Sequence, residues 1–279
     1  MSTSISTHSQ LQKHLEAVAK PRHLHWNRFG LLSVRNYVAG ALGSLGSVEE
    51  HSFNEGQGKG INLILRLAGQ QPDLPPLLVG AHYDGPLNSI GADDNASGIS
   101  ALLVLAERWA ENPPRRPVWI VAFDQEEWGM LGSTALAREL RQADQEIRLM
   151  VSLEMLAYTA EKQNYPHPAM RAIYGDKGDF IAVVGNTGTE PMLSGLASQM
   201  GQHVKTKVLP VPNAGRDIPD VRLSDHSPFW DAGYDAVMVT DTSFMRNPHY
   251  HRMTDTIDTL DLPFLEAVTE GIYLSLSMV

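Results

Sequence analysis

From about residue 47 onward, short apolar runs rich in β-formers alternate with helical stretches, and most of these runs end on, or lead directly into, Asp or Glu. The runs fall at 61–67, 77–83, 117–123, 149–154, 171–174 and 235–240. That alternation predicts an α/β fold, a mixed and mostly parallel sheet flanked by helices in a single domain. The clearest helix spans 96–111, where Ile99, Leu102, Leu103, Ala106 and Trp109 form one apolar stripe that stops before Pro113 and Pro114. Further helices are expected at 131–142, 189–201 and 263–277. Residues 1–8 read as a Ser/Thr-rich tail, and Leu11, Leu15 and Val18, then Leu31, Leu32, Val34, Tyr37, Val38, Leu42 and Leu45, recur at helical spacing around the break at Pro21. The chain therefore divides into a tail and helices over 1–46, packing on a catalytic domain over 47–279. The stretches 155–170 and 210–224 are rich in Pro, Asn and Gly and long for connections, as walls of a site are.

Composition narrows the chemistry. Of 279 residues 43% are apolar, enough for a sizeable core. Lys and Arg number 22 against 32 Asp and Glu, a formal charge of −10, which argues against nucleic acid or an anionic membrane as partner. Without cysteine there is no disulfide, no thiolate metal site and no thiol nucleophile, so any metal must use His, Asp and Glu. The first twenty residues lack an apolar signal core, and runs such as ALLVLA at 101–106 are too short to span a bilayer. As written the chain reads as cytoplasmic, with its oligomeric state open.

In an open α/β sheet, ligands gather beyond the carboxyl ends of the strands. Those ends carry His82 and Asp84, the following loop carries Asp93 and Asp94, and then come Glu126 and Glu127, Glu154, and finally His251. Taken singly, each has an ordinary role: a turn Asp, a helix cap, a solvated Glu pair, a core His. Together they would crowd repelling carboxylates at one edge, a problem that divalent cations solve. The ligand count suits two zinc-type ions, with one carboxylate able to bridge them.

The segments GAHYDG (80–85), GADDNASG (91–98), FDQEEWGMLGS (123–133), SLEM (152–155), SDHSPF (224–229) and NPHYHRMTDTID (247–258) resemble, in order and spacing, the M28 family of zinc aminopeptidases and related exopeptidases. The resemblance covers roughly residues 60–279. It implies that His82 ligates one metal, Asp93 bridges both, Glu127 and His251 hold the other, Glu154 fills the remaining ligand position and Glu126 is the general base. It also implies a cis peptide between Asp93 and Asp94, with Asp94 pointing away to hold the turn.

The remaining roles follow from chemistry. Asp84 is expected to accept the second ring N–H of His82. Asp225 and His226 are expected to line the same cleft, with His226 a candidate donor to an oxyanion. Phe229, Trp230, Phe244 and Tyr250 are candidates for an apolar side-chain pocket, although aromatic residues near strand ends are more often core. Arg216, Arg222, Arg246 and Arg252 are possible clamps for a substrate carboxylate. No G-x-S-x-G, G-x-x-x-x-G-K-[ST] or H-E-x-x-H motif occurs. The expected function is a zinc-dependent exopeptidase that releases N-terminal residues from a peptide substrate. The alternatives are a single-zinc acyltransferase of the glutaminyl cyclase kind, or a non-catalytic binding module of the same fold.

Overall fold

A computed structural model describes residues 6–56, 58–165 and 167–279. An eight-stranded sheet runs β1 (Val48–Glu55), β2 (Gly58–Leu67), β4 (Val118–Phe123), β3 (Leu77–His82), β5 (Leu149–Glu154), β8 (Ala236–Thr240), β6 (Ile181–Asn186) and β7 (Thr206–Val211) from edge to edge. Its centre is parallel: β3 pairs with β4 and β5, and β5 with β8, all in one direction. β1 and β2 add an antiparallel ribbon against β4, while β6 runs antiparallel to β8 and carries β7 as a parallel edge.

Because side chains alternate across a strand, each central run feeds two cores. Leu63, Leu65, Val79, Ile120, Val151 and Val239 face one side, where α1 (Thr7–Val18), α2 (Arg28–Gly43), α3 (Gly98–Glu111), α6 (Glu190–Met200) and α8 (Leu262–Ser277) pack. Ile64, Leu78, Val121, Met150 and Met238 face the other, under α4 (Leu131–Gln142) and α7 (His226–Asp231). Burial on both faces explains the near-continuous apolar character of the central runs. Each such side chain removed from water contributes about 1.5–3 kcal/mol.

Several local expectations change. Residues 171–174 are not a strand. They lie in α5 (Pro168–Tyr174), started by Pro168 in the first turn and by His167 accepting from the Ala169 amide. β1, β6 and β7 lie outside the expected runs; β1 and β7 are edge strands, β1 polar-rich and largely exposed, β7 half-buried along most of its length with no alternation. Of the expected tail, Thr7 and His8 already belong to α1, whose first turn is capped by Ser6; residues 1–5 lie outside the described residues. Among the described residues no helix is long and apolar enough to cross a membrane.

Candidate metal centre

The parallel centre brings the carboxyl ends of β3, β4, β5 and β8 to one edge. His82 and Glu154 are the last residues of β3 and β5, and β4 leads through Asp124 and Gln125 into a single turn over Glu126–Trp128. Gln125, Met155 and His251 adopt left-handed backbone, with φ of 59°, 50° and 55°. Non-glycine residues seldom adopt that conformation. Here it occurs at or beside site residues, where the chain must leave strand geometry sharply.

Asp94 stands at the middle. One carboxylate oxygen lies 3.4 Å from His82 Nε2 and the other 3.1 Å from His251 Nε2. Glu154 Oε2 is 3.5 Å from His82 Nε2, Glu126 Oε2 is 3.9 Å from it, and Glu127 Oε2 is 3.5 Å from His251 Nε2. Most of these separations exceed hydrogen-bond lengths. They match the ~3.4 Å expected between two donors that sit ~2.1 Å from one tetrahedral ion. Both ring nitrogens of His82 and Glu127 Oε1 are buried without a hydrogen-bond partner, and such orphaned polar atoms call for an explanation. His82, Asp94 and Glu127 each offer a ligand atom within 4.8 Å of the others. A nitrogen and carboxylate donor set of this kind fits a divalent cation.

This arrangement shifts the expected central carboxylate by one residue. Asp93 turns the other way: one oxygen accepts from the Ala157 amide at 3.0 Å and the other from Asn247 Nδ2 at 2.8 Å. The cis peptide joins Asp94 to Asn95, not Asp93 to Asp94. Asn95 holds the turn in the way expected of Asp94, donating to the Leu153 carbonyl and accepting from the Met155 amide. Adjacent residues of a loop project to opposite sides, and spacing alone does not say which of two neighbouring aspartates faces the strand ends. Asp255, within the quoted 247–258 segment but given no role, accepts the amides of Asp93 and Asp94 at 2.9 and 3.1 Å.

Asp84 serves the neighbouring turn. Its two oxygens accept the amides of Glu126 at 3.0 Å and Glu127 at 3.2 Å, and Oδ1 lies 3.4 Å from His82 Nδ1. Ser224 Oγ donates to Glu154 Oε2 at 2.8 Å. Burial pushes the Glu126 carboxyl well above the ordinary carboxylate range, and Glu154, Asp225 and Asp84 add to it against the pull of His82. Burial does the same to Glu127, reinforced by Asp94 and Glu126. Burial also opposes ionisation of Asp94, but the imidazoles of His251 and His82 on either side overcome it and hold this carboxyl well below its usual value. One ionised carboxylate thus lies between two imidazoles amid acids that resist charging.

A cavity of about 360 Å³ opens beside this edge. Asp94, Glu126, Glu127, Glu154 and His251 form one end, and Phe180, Val184, Val208, Leu209, Met238 and Phe244 much of the rest. Both long stretches contribute, through Gln163, Tyr165 and Met170 and through Ile218, Val221 and Leu223. Tyr250 also lines it, its ring stacked 3.8 Å from that of His251, and burial raises its phenol so that the hydroxyl stays protonated.

His226 does not line this cavity, and neither do Phe229 and Trp230, which belong to α7 and are buried in the core. It is fully buried at the start of α7, its Nε2 donates to the Val221 carbonyl at 2.8 Å, and its ring packs edge-on against Trp230 at 4.4 Å. Its one N–H is therefore consumed, and burial drops its pKa to about 3. Asp225 is likewise enclosed behind the cavity wall, and burial raises its carboxyl to about 7. Arg216 and Arg222 both pair with Asp231, while Arg246 is buried and donates to the carbonyls of Tyr158 and Phe180. Among the described residues no arginine lines the cavity. His23, a residue to which the sequence assigns no role, is buried with its ring 5.4 Å from that of Trp128, beside the Glu126–Glu127 turn.

Comparison with known proteins identifies the family and the fold. The family model for peptidase family M28 matches residues 62–275. The uncharacterized protein YfbL of Escherichia coli K12 is 36% identical over 217 residues, which is 72% of this chain and 66% of that protein, so the chain spans just under two thirds of its length. The LapA aminopeptidase of Legionella pneumophila superposes with a TM-score of 0.73 at 17% identity, covering 97% of this chain and 71% of that one. A glutaminyl cyclase from Macrostomum lignano gives 0.72 at 18% identity, covering 97% and 88%. With the family match spanning most of the sheet and every strand end that carries the site, the chain belongs to peptidase family M28.

Proposed function

We propose that the chain is a zinc-dependent aminopeptidase with two metal ions. The observation that carries this reading is the position of Asp94, whose two oxygens address the imidazoles of His82 and His251 separately. His82, Asp94 and Glu154 would hold one ion, and Asp94, Glu127 and His251 the other. Bound there, the cations would polarise the scissile carbonyl and acidify the attacking water.

The chain's own residues supply the rest. Glu126 is held by its amide on Asp84 while its carboxylate reaches only 3.9 Å from His82 Nε2, so it is free to take a proton and return it to the leaving amine. Its raised pKa suits both halves of that task. The protonated hydroxyl of Tyr250, on the cavity wall, is placed to donate to developing negative charge on the carbonyl oxygen. The carboxylates at one end favour a substrate ammonium, and among the described lining residues there is no arginine to clamp a free carboxylate bidentately, Lys207 offering only a single ammonium. An apolar cavity of about 360 Å³ suits large aliphatic or aromatic side chains, since ~150 Å³ already holds benzene.

A second reading, the single-zinc acyltransferase, draws on the likeness in fold to a glutaminyl cyclase. Metal analysis of protein purified without chelator, with a panel of free-amine, N-acetylated and N-terminal glutaminyl peptides, decides between them. Near two equivalents and cleavage confined to free amines supports the aminopeptidase. One equivalent with ring closure of glutaminyl peptides supports the cyclase, and faster cleavage of N-acetylated peptides refutes the amino-terminal preference.

A further inference from the structure

Arg22 lies in the connection between α1 and α2, far in sequence from every site residue, and is 1% exposed. Its guanidinium meets no carboxylate within ion-pair distance among the described residues. It donates instead to six backbone carbonyls: Nε to Tyr83 at 3.1 Å, Nη1 to Val18, Lys20 and Ile90 at 3.3, 3.2 and 2.8 Å, and Nη2 to Gly91 and Asp94 at 2.9 and 3.0 Å. Four of these belong to the end of β3 and to the loop carrying Asp94. The loop is cut to fit: a Cβ at Gly85 would come within 2.9 Å of Arg22 Cγ, and one at Gly91 within 2.9 Å of both Nη atoms. Gly91 has φ of +63°, a conformation that glycine takes without penalty.

A buried cation is costly unless its donors and its charge are both answered. The carbonyls answer the donors, and Asp94, Asp84, Asp255 and Glu127 supply the field that favours the charge. The result is a loop gripped from two sides. Asp255 takes the amides of Asp93 and Asp94, and Arg22 takes the carbonyls of Ile90, Gly91 and Asp94. Arginine suits the task because a planar fork can span several acceptors at once, which the single ammonium of lysine cannot.

We propose that Arg22 is a positioning residue for the metal centre: it fixes the backbone of Asp94 relative to His82 and so ties metal affinity to the seating of the N-terminal helical arm. The inference rests on the reading of Asp94 as a ligand. Arg22 touches no reacting atom, so its removal should weaken metal binding and spare the turnover of fully loaded protein.

The test is the zinc dissociation constant of Arg22→Lys and Arg22→Met, measured by chelator competition, beside far-UV circular dichroism of the metal-free proteins and kcat at saturating zinc. Outer supports of this kind typically contribute 10–100-fold in affinity. Both variants are expected to bind zinc 10–100-fold more weakly with native dichroism and kcat within about threefold of wild type. Wild-type affinity in folded Arg22→Lys overturns the proposal. So does a lysine variant that stays unfolded at saturating zinc, which would make Arg22 a folding residue, and so does a loss confined to kcat. Failure of the wild-type protein itself to bind zinc would instead overturn the reading of Asp94 as ligand.

Discussion

The carboxylate of Asp84 accepts the backbone N–H of Glu126 at 3.0 Å, and its second oxygen accepts that of Glu127 at 3.2 Å. One buried side chain at the end of β3 therefore sets the turn that presents both glutamates, while standing 3.4 Å from the far ring nitrogen of His82. Asp84→Asn keeps the shape but turns one acceptor into a donor facing an amide. The expected outcome is a 10–100-fold loss of metal affinity together with lower turnover, read by chelator competition and steady-state kinetics. Unchanged values for both would show that the turn holds itself.

Glu126→Gln should leave metal content intact and lower kcat by at least ~10²-fold, the usual contribution of a positioned base. Inductively coupled plasma mass spectrometry and kinetics on the same preparation check this. Substantial activity in a metal-replete variant would exclude Glu126 as the base.

The two aspartates of the 91–98 loop separate cleanly. Asp94→Ala removes the carboxylate between His82 and His251 and should abolish binding of both metal equivalents. Asp93→Asn keeps the acceptor for the Ala157 amide and should retain metal, although stability falls by about 1–3 kcal/mol if Asn247 or Ser97 loses its partner. Titration calorimetry with zinc distinguishes them, and equal loss in both variants would refute the assignment.

His226 gives a signed pH prediction. Burial lowers its pKa to about 3, against ~6.5 in an unfolded chain. Below pH ~6.5 the unfolded chain binds a proton that the folded one refuses, so this residue's contribution is intact above that pH. As the pH falls toward 3 the contribution is lost, by at most about 1.4 kcal/mol per unit. His226→Gln keeps a donor for the Val221 carbonyl and cannot titrate. Denaturant unfolding of metal-free protein at pH 7, 6 and 5 should show a shallower decline for the variant, and parallel curves would contradict the assignment.

Much of the site was legible in sequence because of a topological rule. Parallel strands end at one edge, so His82, Glu126, Glu127 and Glu154 could be placed together from the apolar runs that precede them, and His251 from the quoted segment at the chain's end. What the runs could not convey was direction within a loop. Asp93 and Asp94 are one residue apart, yet one faces Ala157 and Asn247 while the other faces the two imidazoles. His226 failed for a related reason: a histidine near the site in sequence spent its N–H on Val221 and packed on Trp230.

By itself, the sequence determined the α/β class, the family and the donor types, because burial periodicity and the order of short motifs are local properties of the chain. The tertiary structure decided which aspartate is central, that Tyr250 lines the cavity and His226 does not, and that Arg22 grips the Asp94 loop. Those are contacts between segments 61 to 72 residues apart in the case of Arg22, and their geometry is set by how the N-terminal arm packs on the sheet edge. No local pattern encodes that packing.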